Sequence, residues 1–492
     1  MPSNQPYSGH GVIQAVLSCC RTFCLQTSIH GFSHIAAPRR HWVERLLWVG
    51  ILGVAIWGVV DISRGQLQRF LESPTVVTLE KDYRTWRYTL PAVTVCEQNK
   101  VNADSLPSTI KLIWNVTPAD STYQYYAGFV STVADSDLYH LQGYGDFQND
   151  TTLDVDLFQI VLKVSGELVM KTGSSERISP RWAAAVTEAG VCHTINSLAT
   201  TDSAINMNST PSSAESLPHT CAYSAQGCYL VIETSRVVRY YIHSPYDTAD
   251  VALPAGLIFP SLSRFTELTL TETRAGAGVR DLPPARRACR HTDEPTSPGR
   301  RVYSTNICRL GCRARLALRL CGCKPFYYFY EGIRQCNASG MWCLAGHAHR
   351  LATFDGVRCV CAQQCLDSVF REVSNDDQIL ERGPLKNRGA LRLTVRAPRE
   401  RYTRDIVFHS QDLVVSFGGA AGLFLGASLI SFVELVYFLV EYIFHVNTSK
   451  KTRALVKQQS IYTAAEWNRM EASMSPHARN LAPACTWHPQ YP

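Results

Sequence analysis

The sequence predicts an α+β membrane protein in which two transmembrane helices flank a large, disulfide-rich extracellular domain. Three observations predict this: an apolar segment lies near each end of the 492-residue chain, most cysteines fall between these segments, and the intervening sequence has strand-like alternation. The predicted extracellular domain, residues 64–409, is long enough to bury a hydrophobic core of its own.

The first span is predicted at residues 42–63. Its uncharged centre, Leu46–Val60, has only 15 residues, whereas about 20 apolar residues cross a hydrocarbon core of about 30 Å. Trp42, Trp48 and Trp57 are aromatic anchors of the interfacial kind. We therefore expect a short span that tilts little and thins the bilayer locally, with a buried core helix as the alternative.

The second span is predicted within residues 410–445, which hold an uncharged apolar run of 21 residues. Gly418, Gly422 and Gly426 recur every fourth residue in this run, so one helix face would let another backbone approach closely. A helix-packing face of this kind occurs in many membrane proteins and does not by itself indicate a pore.

A cluster of small residues and two carboxylates follow along the same span. Gly426, Ala427 and Ser428 are adjacent, and Glu434 and Glu441 come after them. Small side chains free backbone carbonyls to face an ion, as pore-lining irregular backbone does. The segment therefore suits a cation pathway.

Charge and cysteine distribution predict that both termini are cytoplasmic and that the protein lies in the plasma membrane. Segments 1–41 and 446–492 carry the basic residues that flank the spans, as the positive-inside rule requires. We found no cleavable signal peptide, so the first span is expected to direct insertion. Of the 18 cysteines, 14 lie between the spans, and an even number delivered outside the cell indicates a disulfide framework. The expected glycosylation sites between the spans are Asn115, Asn149, Asn208 and Asn337, whereas Asn447 lies on the wrong side.

The predicted extracellular domain mixes strands and helices without an internal repeat, which favours an α+β domain over a sandwich or solenoid. A polar loop is expected at Asn196–His219. The helix is expected at Thr305–Leu320 and the strand-like segments at Thr75–Leu79, Thr89–Cys96, Cys228–His243, Leu257–Thr273 and Ala390–Ala397.

Ten cysteines between Cys289 and Cys365 have spacings that suit a nested set of bridges. Cys308 and Cys312 share one face of a helix, and Cys359 and Cys361 share one face of an extended chain. An antiparallel arrangement allows the pairs 308–361 and 312–359, and nesting adds 289–365, 321–343 and 323–336. Geometry alone leaves other pairings open. A metal site at Cys321, Cys323, Cys359 and Cys361 is the alternative, although these spacings are unusual for zinc.

Several motifs, in order along nearly the whole chain, resemble those of the epithelial sodium channel/degenerin family, nearest its arthropod pickpocket branch. His30 and Gly31 resemble the family's cytoplasmic His-Gly gating motif. Leu90–Cys96 and Gly190–Ser197 resemble its two signature segments around cysteine. The ten cysteines fit its thumb-domain ladder, and Gly418 and Gly419 through Gly426-Ala427-Ser428 and Glu434 resemble its second span.

This resemblance implies a homo- or heterotrimeric channel whose ectodomains have palm, thumb, finger, knuckle and β-ball regions. It implies a pore lined by the second spans, Na⁺ as the favoured permeant ion, and block by amiloride. Gly426, Ala427 and Ser428 would be the selectivity filter, where the span breaks and becomes extended. Val415 would occupy the "degenerin" gate position, at which small residues are usual. The remaining bridges would be Cys96–Cys192 and Cys221–Cys228.

Two residues depart from the family pattern, and two other classes of membrane protein are alternatives. Glu97 replaces the usual Asn, and Arg286 stands where acid-sensing relatives carry a Trp. A purinergic-type two-span trimeric channel would need phosphate-binding lysines, for which Lys81 and Lys100 are the nearby candidates. A non-conducting receptor or adhesion protein would need only an ordinary second anchor. No catalytic motif, metal site, cofactor or nucleic-acid partner is expected, and the gating stimulus stays open.

Overall fold

The computed structural model describes residues 20–441 except 167, 176–180, 203–216, 225–226, 297–299, 329–331, 333 and 381–385, together with 443, 444, 465 and 469. The chain divides into two compact units. The terminal unit comprises Met1–Phe70 and His409–Pro492, and the central unit comprises Leu71–Phe408. Asn208 and Asn447 lie outside the described residues.

The terminal unit is helical where it is described. Residues 20–26 are helical, and the further helices are Phe32–Ala36, Trp42–Glu72, Ser410–Leu425 and Leu429–Glu441. Trp42–Glu72 is long enough, and over part of its length apolar enough, to cross a membrane. Ser410–Leu425 and Leu429–Glu441 meet the same criterion if the pair, which is bent by 80°, is counted as one span.

The first helix begins at Trp42 as predicted but continues past residue 63 to Glu72, giving 31 residues. At about 1.5 Å per residue it is roughly 46 Å long. The helix is therefore longer than the predicted span, while the uncharged centre on which the expectation of local thinning rests keeps its 15 residues, so that expectation stays a prediction. Residues 64–72 are more polar, but they contain no proline and favour helix, so the helix extends beyond the apolar core.

The central unit has fourteen strands among its described residues. They are β1 (Thr75–Glu80), β2 (Arg87–Thr89), β3 (Ala92–Glu97), β4 (Lys171–Ser174), β5 (Trp182–Thr187), β6 (Gly190–Ile195), β7 (Thr220–Ala222), β8 (Cys228–Thr234), β9 (Val238–His243), β10 (Ala255–Ile258), β11 (Leu262–Ala275), β12 (Asp367–Ile379), β13 (Gly389–Val395) and β14 (Arg401–Ile406).

These strands form three sheets. The seven-stranded sheet has the order β1-β14-β11-β13-β8-β4, with β12 also pairing β11. The five-stranded sheet has the order β10-β9-β3-β6-β5, and β2 pairs with β7 alone. Three predicted strand segments are each divided in two, and Pro91 explains one division because it has no backbone N–H to extend the ladder.

The helices of the central unit lie between its strands in the sequence. They are Leu106–Trp114, Tyr123–Asp135, Leu157–Val164, Pro284–Arg287, Thr305–Cys321, Ala338–Ala345 and Ala348–Thr353. One hydrophobic cluster joins the first three of these helices to Thr305–Cys321 and Ala338–Ala345. A second cluster packs between strands, where alternate residues of β13 (Leu391, Leu393 and Val395) are fully buried.

The helix Thr305–Cys321 closely matches the predicted Thr305–Leu320, and its ends have clear causes. The Ser304 side chain accepts a hydrogen bond from the Ile307 N–H, which caps the first turn. Gly322 ends the helix with a φ of 72°, a left-handed conformation that glycine adopts without a steric penalty.

Seven disulfides cross-link the central unit, and they join the same pairs named from the sequence. The pairs are Cys96–Cys192, Cys221–Cys228, Cys289–Cys365, Cys308–Cys361, Cys312–Cys359, Cys321–Cys343 and Cys323–Cys336. All four cysteines of the alternative metal site are therefore bridged, which leaves them without the thiolates that zinc requires.

Candidate functional site

The second apolar segment is broken at the three small residues that were predicted to form a filter. Ser410–Leu425 ends at Gly426, whose φ of 61° is left-handed, and the helix resumes only at Leu429. The Gly426 N–H donates to the Gly422 carbonyl at 2.9 Å, and the Ala427 N–H donates to the Ala421 carbonyl at 3.2 Å. Gly426 is therefore a helix-terminating residue, and the glycine stripe does not continue through it.

The His-Gly motif packs directly against this break. The His30 N–H donates to the Leu425 carbonyl at 3.0 Å, one of the groups that the helix end leaves unpaired. Ile29 is buried in a small cluster with Ala421 and Ala427. Gly31 has a φ of 90°, so the chain can turn immediately after His30.

Ser28 anchors the same segment to the helix beyond the break. Its hydroxyl and its backbone N–H donate to the Glu434 carboxylate at 2.7 and 3.0 Å. Its Oγ also lies 2.8 Å from Ser431 Oγ, and Ser431 Oγ accepts from the Ser428 N–H at 3.1 Å. Hydrogen bonds to a charged acceptor are about twice as strong as neutral ones. Ser28 thus ties the His-Gly segment to the helix after the break, and His30 ties it to the helix before the break.

The first helix meets the second at a glycine that the sequence analysis did not single out. Gly58 is buried, and an added Cβ there would lie 2.8 Å from Phe424 Cε1. Leu52 is buried beside Gly31, and the Trp48 ring stacks on His34 with centroids 4.4 Å apart. Within one chain, then, the two helices and the His-Gly segment pack on each other.

Among the residues that the structure describes, Val415, Gly418 and Gly419 have no such close neighbours. Val415 is 72% exposed, and an added Cβ at Gly418 or Gly419 would meet nothing within 4 Å. Glu441 is exposed. The close packing predicted for the glycine stripe is therefore not made by the chain's own first helix, which uses Gly58 instead.

The two residues that depart from the family pattern, Glu97 and Arg286, both lie in the central unit. Glu97 is half-buried and accepts two hydrogen bonds from Arg236 Nη1, at 2.7 and 2.9 Å. Burial raises the pKa of this carboxyl, while Arg236 opposes the shift. Arg286 lies in the short helix Pro284–Arg287. Of the purinergic candidates, Lys81 pairs with Glu400 at 3.6 Å, and burial lowers the pKa of Lys100.

A buried ionic network in the central unit was missed by sequence reasoning. Arg313 Nη1 donates to Glu188 at 2.7 Å and to Asp250 at 3.0 Å, and the Tyr328 hydroxyl donates to Glu188. Burial raises the pKa of Glu188 to about 7, against the opposing effect of Arg313. One signal was available: Arg313 lies on the apolar face that Leu310, Ala314 and Ala317 define in the same helix.

The structure thus defines a chain with two apolar, mutually packed helical segments and a disulfide-rich α+β unit between them in sequence. A family model described as "Amiloride-sensitive sodium channel" matches residues 23–438. The chain belongs to this family of ion channel subunits.

Similar proteins agree with the family match. Acid-sensing ion channel 4-B of Danio rerio is 22% identical over 484 residues, covering 89% of this chain and 78% of that protein. Pickpocket protein 19 of Drosophila melanogaster is 21% identical over 481 residues, covering 85% and 90%. Sodium channel protein Nach of Drosophila virilis is 25% identical over 213 residues, covering 40% and 55%. A solved structure of a proton-activated chloride channel aligns over 82% of this chain and 96% of that chain at 6% identity, and its TM-score of 0.24 is too low to indicate a shared fold.

Proposed function

We propose that the chain is a subunit of a sodium-selective cation channel in the plasma membrane, with Gly426, Ala427 and Ser428 as its selectivity filter. The observation that carries this proposal is the break at these residues between two apolar helical segments. In a membrane, non-helical backbone is tolerated where it is buried in protein or lines a water-filled path. Three small side chains leave backbone carbonyls and the Ser428 hydroxyl to coordinate an ion.

The proposed assembly is a homo- or heterotrimer of related subunits in which each subunit contributes one filter segment. Channels of this family assemble as multimers of related subunits. The exposure of Val415 and the open space around Gly418 and Gly419 are consistent with contacts made by neighbouring second spans. Glu434 and Glu441 would lie on the cytoplasmic side of the filter and raise the local cation concentration.

The main experiment is whole-cell recording from cells that express the chain alone or with related subunits, with and without amiloride. We expect an inward Na⁺ current that amiloride reduces. Enlarging Ser428, as in Ser428→Val, should lower the Na⁺/K⁺ permeability ratio or abolish the current, because the coordinating ring changes. Ser416→Val, in the preceding helix, is the matched control. An unchanged ratio in Ser428→Val channels at normal surface density would refute the filter assignment.

The proposed topology, with two spans and cytoplasmic termini, has its own test. Asn115 and Asn149 are exposed, whereas Asn337 caps the helix Ala338–Ala345 with its side chain. We therefore expect glycans at Asn115 and Asn149, lost in the Asn→Gln variants and on enzymatic deglycosylation. A glycan at Asn447 would overturn the two-span arrangement.

A further inference from the structure

Four exposed arginines lie along the disulfide ladder of the central unit. These ladder arginines are Arg309, Arg315, Arg319 and Arg358. Arg309 follows Cys308, and Arg358 precedes Cys359, so both adjoin bridges of the ladder. Arg315 Nη2 lies 3.4 Å from Cys312 Sγ, and Arg319 is one helical turn further on. Arg315, Arg319 and Arg358 therefore lie near the Cys312–Cys359 bridge, and Arg309 adjoins the neighbouring Cys308–Cys361 bridge.

No carboxylate among the described residues neutralises the ladder arginines. Some other exposed arginines are paired, Arg236 with Glu97 and Arg396 with Glu267. Among the described residues, none of the ladder arginines forms an ion pair, and the one polar side chain that Arg309 contacts is Asn306, at 3.5 Å. Their charge is therefore available to an external anion.

The surrounding segment is strongly basic as a whole. Residues 305–361 contain eight Lys and Arg residues and two acidic residues, a formal net charge of +6. Residues 98–165 contain eight Asp and three Lys, a formal net charge of −5. The overall charge of +7 is thus unevenly distributed. Glu188 and Asp250 neutralise the buried Arg313, so the outward positive charge of the segment comes mainly from its exposed arginines, and such a surface attracts polyanions.

The spacing of the charges is also fixed in advance. The helix Thr305–Cys321 is bridged at Cys308, Cys312 and Cys321, so its backbone is held along its whole length. Arg309 and Arg319 are ten residues apart, or about 15 Å along the axis. A rigid array loses little conformational freedom when it binds an extended chain of anionic groups.

We propose that the ladder arginines bind a sulfated polysaccharide chain of the extracellular matrix. Guanidinium groups form strong, charge-assisted and often bidentate hydrogen bonds with oxyanions, and arginine-rich patches are typical of heparin-binding proteins. The choice of a polysaccharide over nucleic acid rests on the extracellular position in the proposed function. The surface would anchor each subunit to the matrix through this disulfide-braced helix.

The test measures heparin binding by the purified full-length protein in detergent as the NaCl concentration is varied. Each anion contact contributes about −0.9 to the slope of log affinity against log salt on a dense polyanion, so four contacts predict a slope of about −3 to −4. In R315E/R319E/R358E, which leaves Arg309 as the one remaining contact, we expect a slope of about −1 and affinity at least about tenfold weaker at physiological salt. R84E/R371E/R399E is the matched control, since it changes the same charge at exposed arginines on other elements.

The control variant should bind heparin as the unaltered protein does, within about twofold, because charges beyond a Debye length of about 8 Å are largely screened. Equal loss in both triple variants, or no salt-dependent binding by the unaltered protein, would overturn the proposal. If R315E/R319E/R358E fails to fold, the single variant Arg319→Gln replaces it and should elute from immobilised heparin at lower salt. N-desulfated heparin should compete less well than heparin itself, and equal competition would also refute the assignment.

A second arm distinguishes failure of this surface from failure of the proposed function. Fluorescent heparin is applied to two sets of intact cells, one expressing the unaltered chain and one expressing the control variant. The two proteins are present at the same surface density, and bound fluorescence is measured on each. Binding by purified protein but not by cells would contradict the extracellular position and with it the proposed matrix partner. A chain that binds heparin through the ladder arginines but carries no current would refute the channel and leave this inference standing.

Discussion

At the scale of single residues, one buried guanidinium serves two carboxylates. Arg313 is 2% exposed, Glu188 is 1% exposed, and Asp250 is the second acceptor. The three groups together would carry a net negative charge in a place that water does not reach, and such burial disfavours the charged form of a carboxyl. Burial therefore raises the pKa of Glu188 to about 7, while Arg313 keeps Asp250 below its usual pKa.

This network predicts a pH dependence of stability. Because the pKa of Glu188 rises from 4.5 to about 7, the folded protein holds a proton between these values that the unfolded chain has released. Stability therefore falls as pH rises through this window, by at most about 3 kcal/mol. In Glu188→Gln, which imitates the protonated carboxyl, the melting temperature should fall less between pH 5 and 7.5, as measured by thermal unfolding in detergent.

The control for this experiment is Glu267→Gln, at a partly exposed carboxylate that pairs with the exposed Arg396. Its removal should leave the decline above pH 5 unchanged, because exposed pairs contribute little. A decline of the same size in Glu188→Gln and in the unaltered protein would contradict the role given to Glu188. Asp247, whose pKa burial also raises to about 7, stays in both proteins and cancels in the comparison.

Gly426 is a second residue at which the backbone conformation and the surrounding atoms disfavour a side chain. Its φ is 61°, and an added Cβ would lie 2.6 Å from His30 Cε1. A side chain there meets two costs: about 1–2 kcal/mol for the left-handed backbone, and the displacement of His30. We expect Gly426→Ala to abolish most of the current at normal surface density. Gly426→Ala combined with His30→Ala should recover part of it if the clash contributes, and no recovery would leave only the backbone strain.

Residue types explain which of these features could be predicted. The motifs around His30 and Gly426 were found because their order and spacing are distinctive, and the structure brings them into contact. Arg313 was missed because an arginine in a helix is ordinarily solvated, and burial depends on carboxylates 63 and 125 residues away in sequence. No local pattern encodes partners at that distance.

At the scale of elements, the bend in the second span and the contact with the first helix were predictable to different degrees. The resemblance predicted that the span breaks at residues 426–428, and the structure has the break there. The glycine stripe was expected to accept a neighbouring helix, but the close contact within the chain is made by Gly58 and Phe424. Which glycine faces which helix is a property of packing that one sequence does not reveal.

Gly58 and Gly53 offer a matched pair for testing this contact. An added Cβ at Gly58 would lie 2.8 Å from Phe424 Cε1, whereas one at Gly53 would meet nothing within 4 Å. Gly58→Val should therefore separate the two helices or shift the Phe424 ring, at a cost of about 1–3 kcal/mol from overpacking. We expect reduced surface delivery and current for Gly58→Val and nearly normal values for Gly53→Val. Equal effects of the two changes would show that the contact does not stabilise the membrane segment.

The disulfide ladder shows the opposite case, in which spacing carried most of the information. Cysteines four apart on a helix and two apart on an extended chain limit the geometry of a bridge severely. Cys308–Cys361 and Cys312–Cys359 are joined in the structure as that spacing allows. The pairs Cys96–Cys192 and Cys221–Cys228 had no such geometric basis and came from the resemblance alone.

At the scale of the whole molecule, the proposed trimer would cover part of the exposed apolar surface of the second span. Val414, Val415 and Leu423 are 71%, 72% and 81% exposed in the single chain. Some of these side chains would face lipid and others the neighbouring subunits. The open space around Gly418 and Gly419 among the described residues suits the close helix–helix contacts that the proposed assembly would make between subunits.

Val415 provides the sharpest test of that assembly. The family resemblance puts it at the gate, where closing the pore brings three second spans together. Added volume in a closed contact costs about 1–3 kcal/mol, and the open state is spared that cost. Because about 1.4 kcal/mol changes an equilibrium roughly tenfold, Val415→Phe should raise the resting current and Val415→Gly should lower it. The alternative is that the closed contact is wide enough to accommodate valine.

Val414→Phe is the control, because it adds the same side-chain volume at the neighbouring and equally exposed position on the lipid-facing or inter-subunit surface. If both Val415 variants reached the surface with the open fraction of the unaltered channel, Val415 would lie outside the gate.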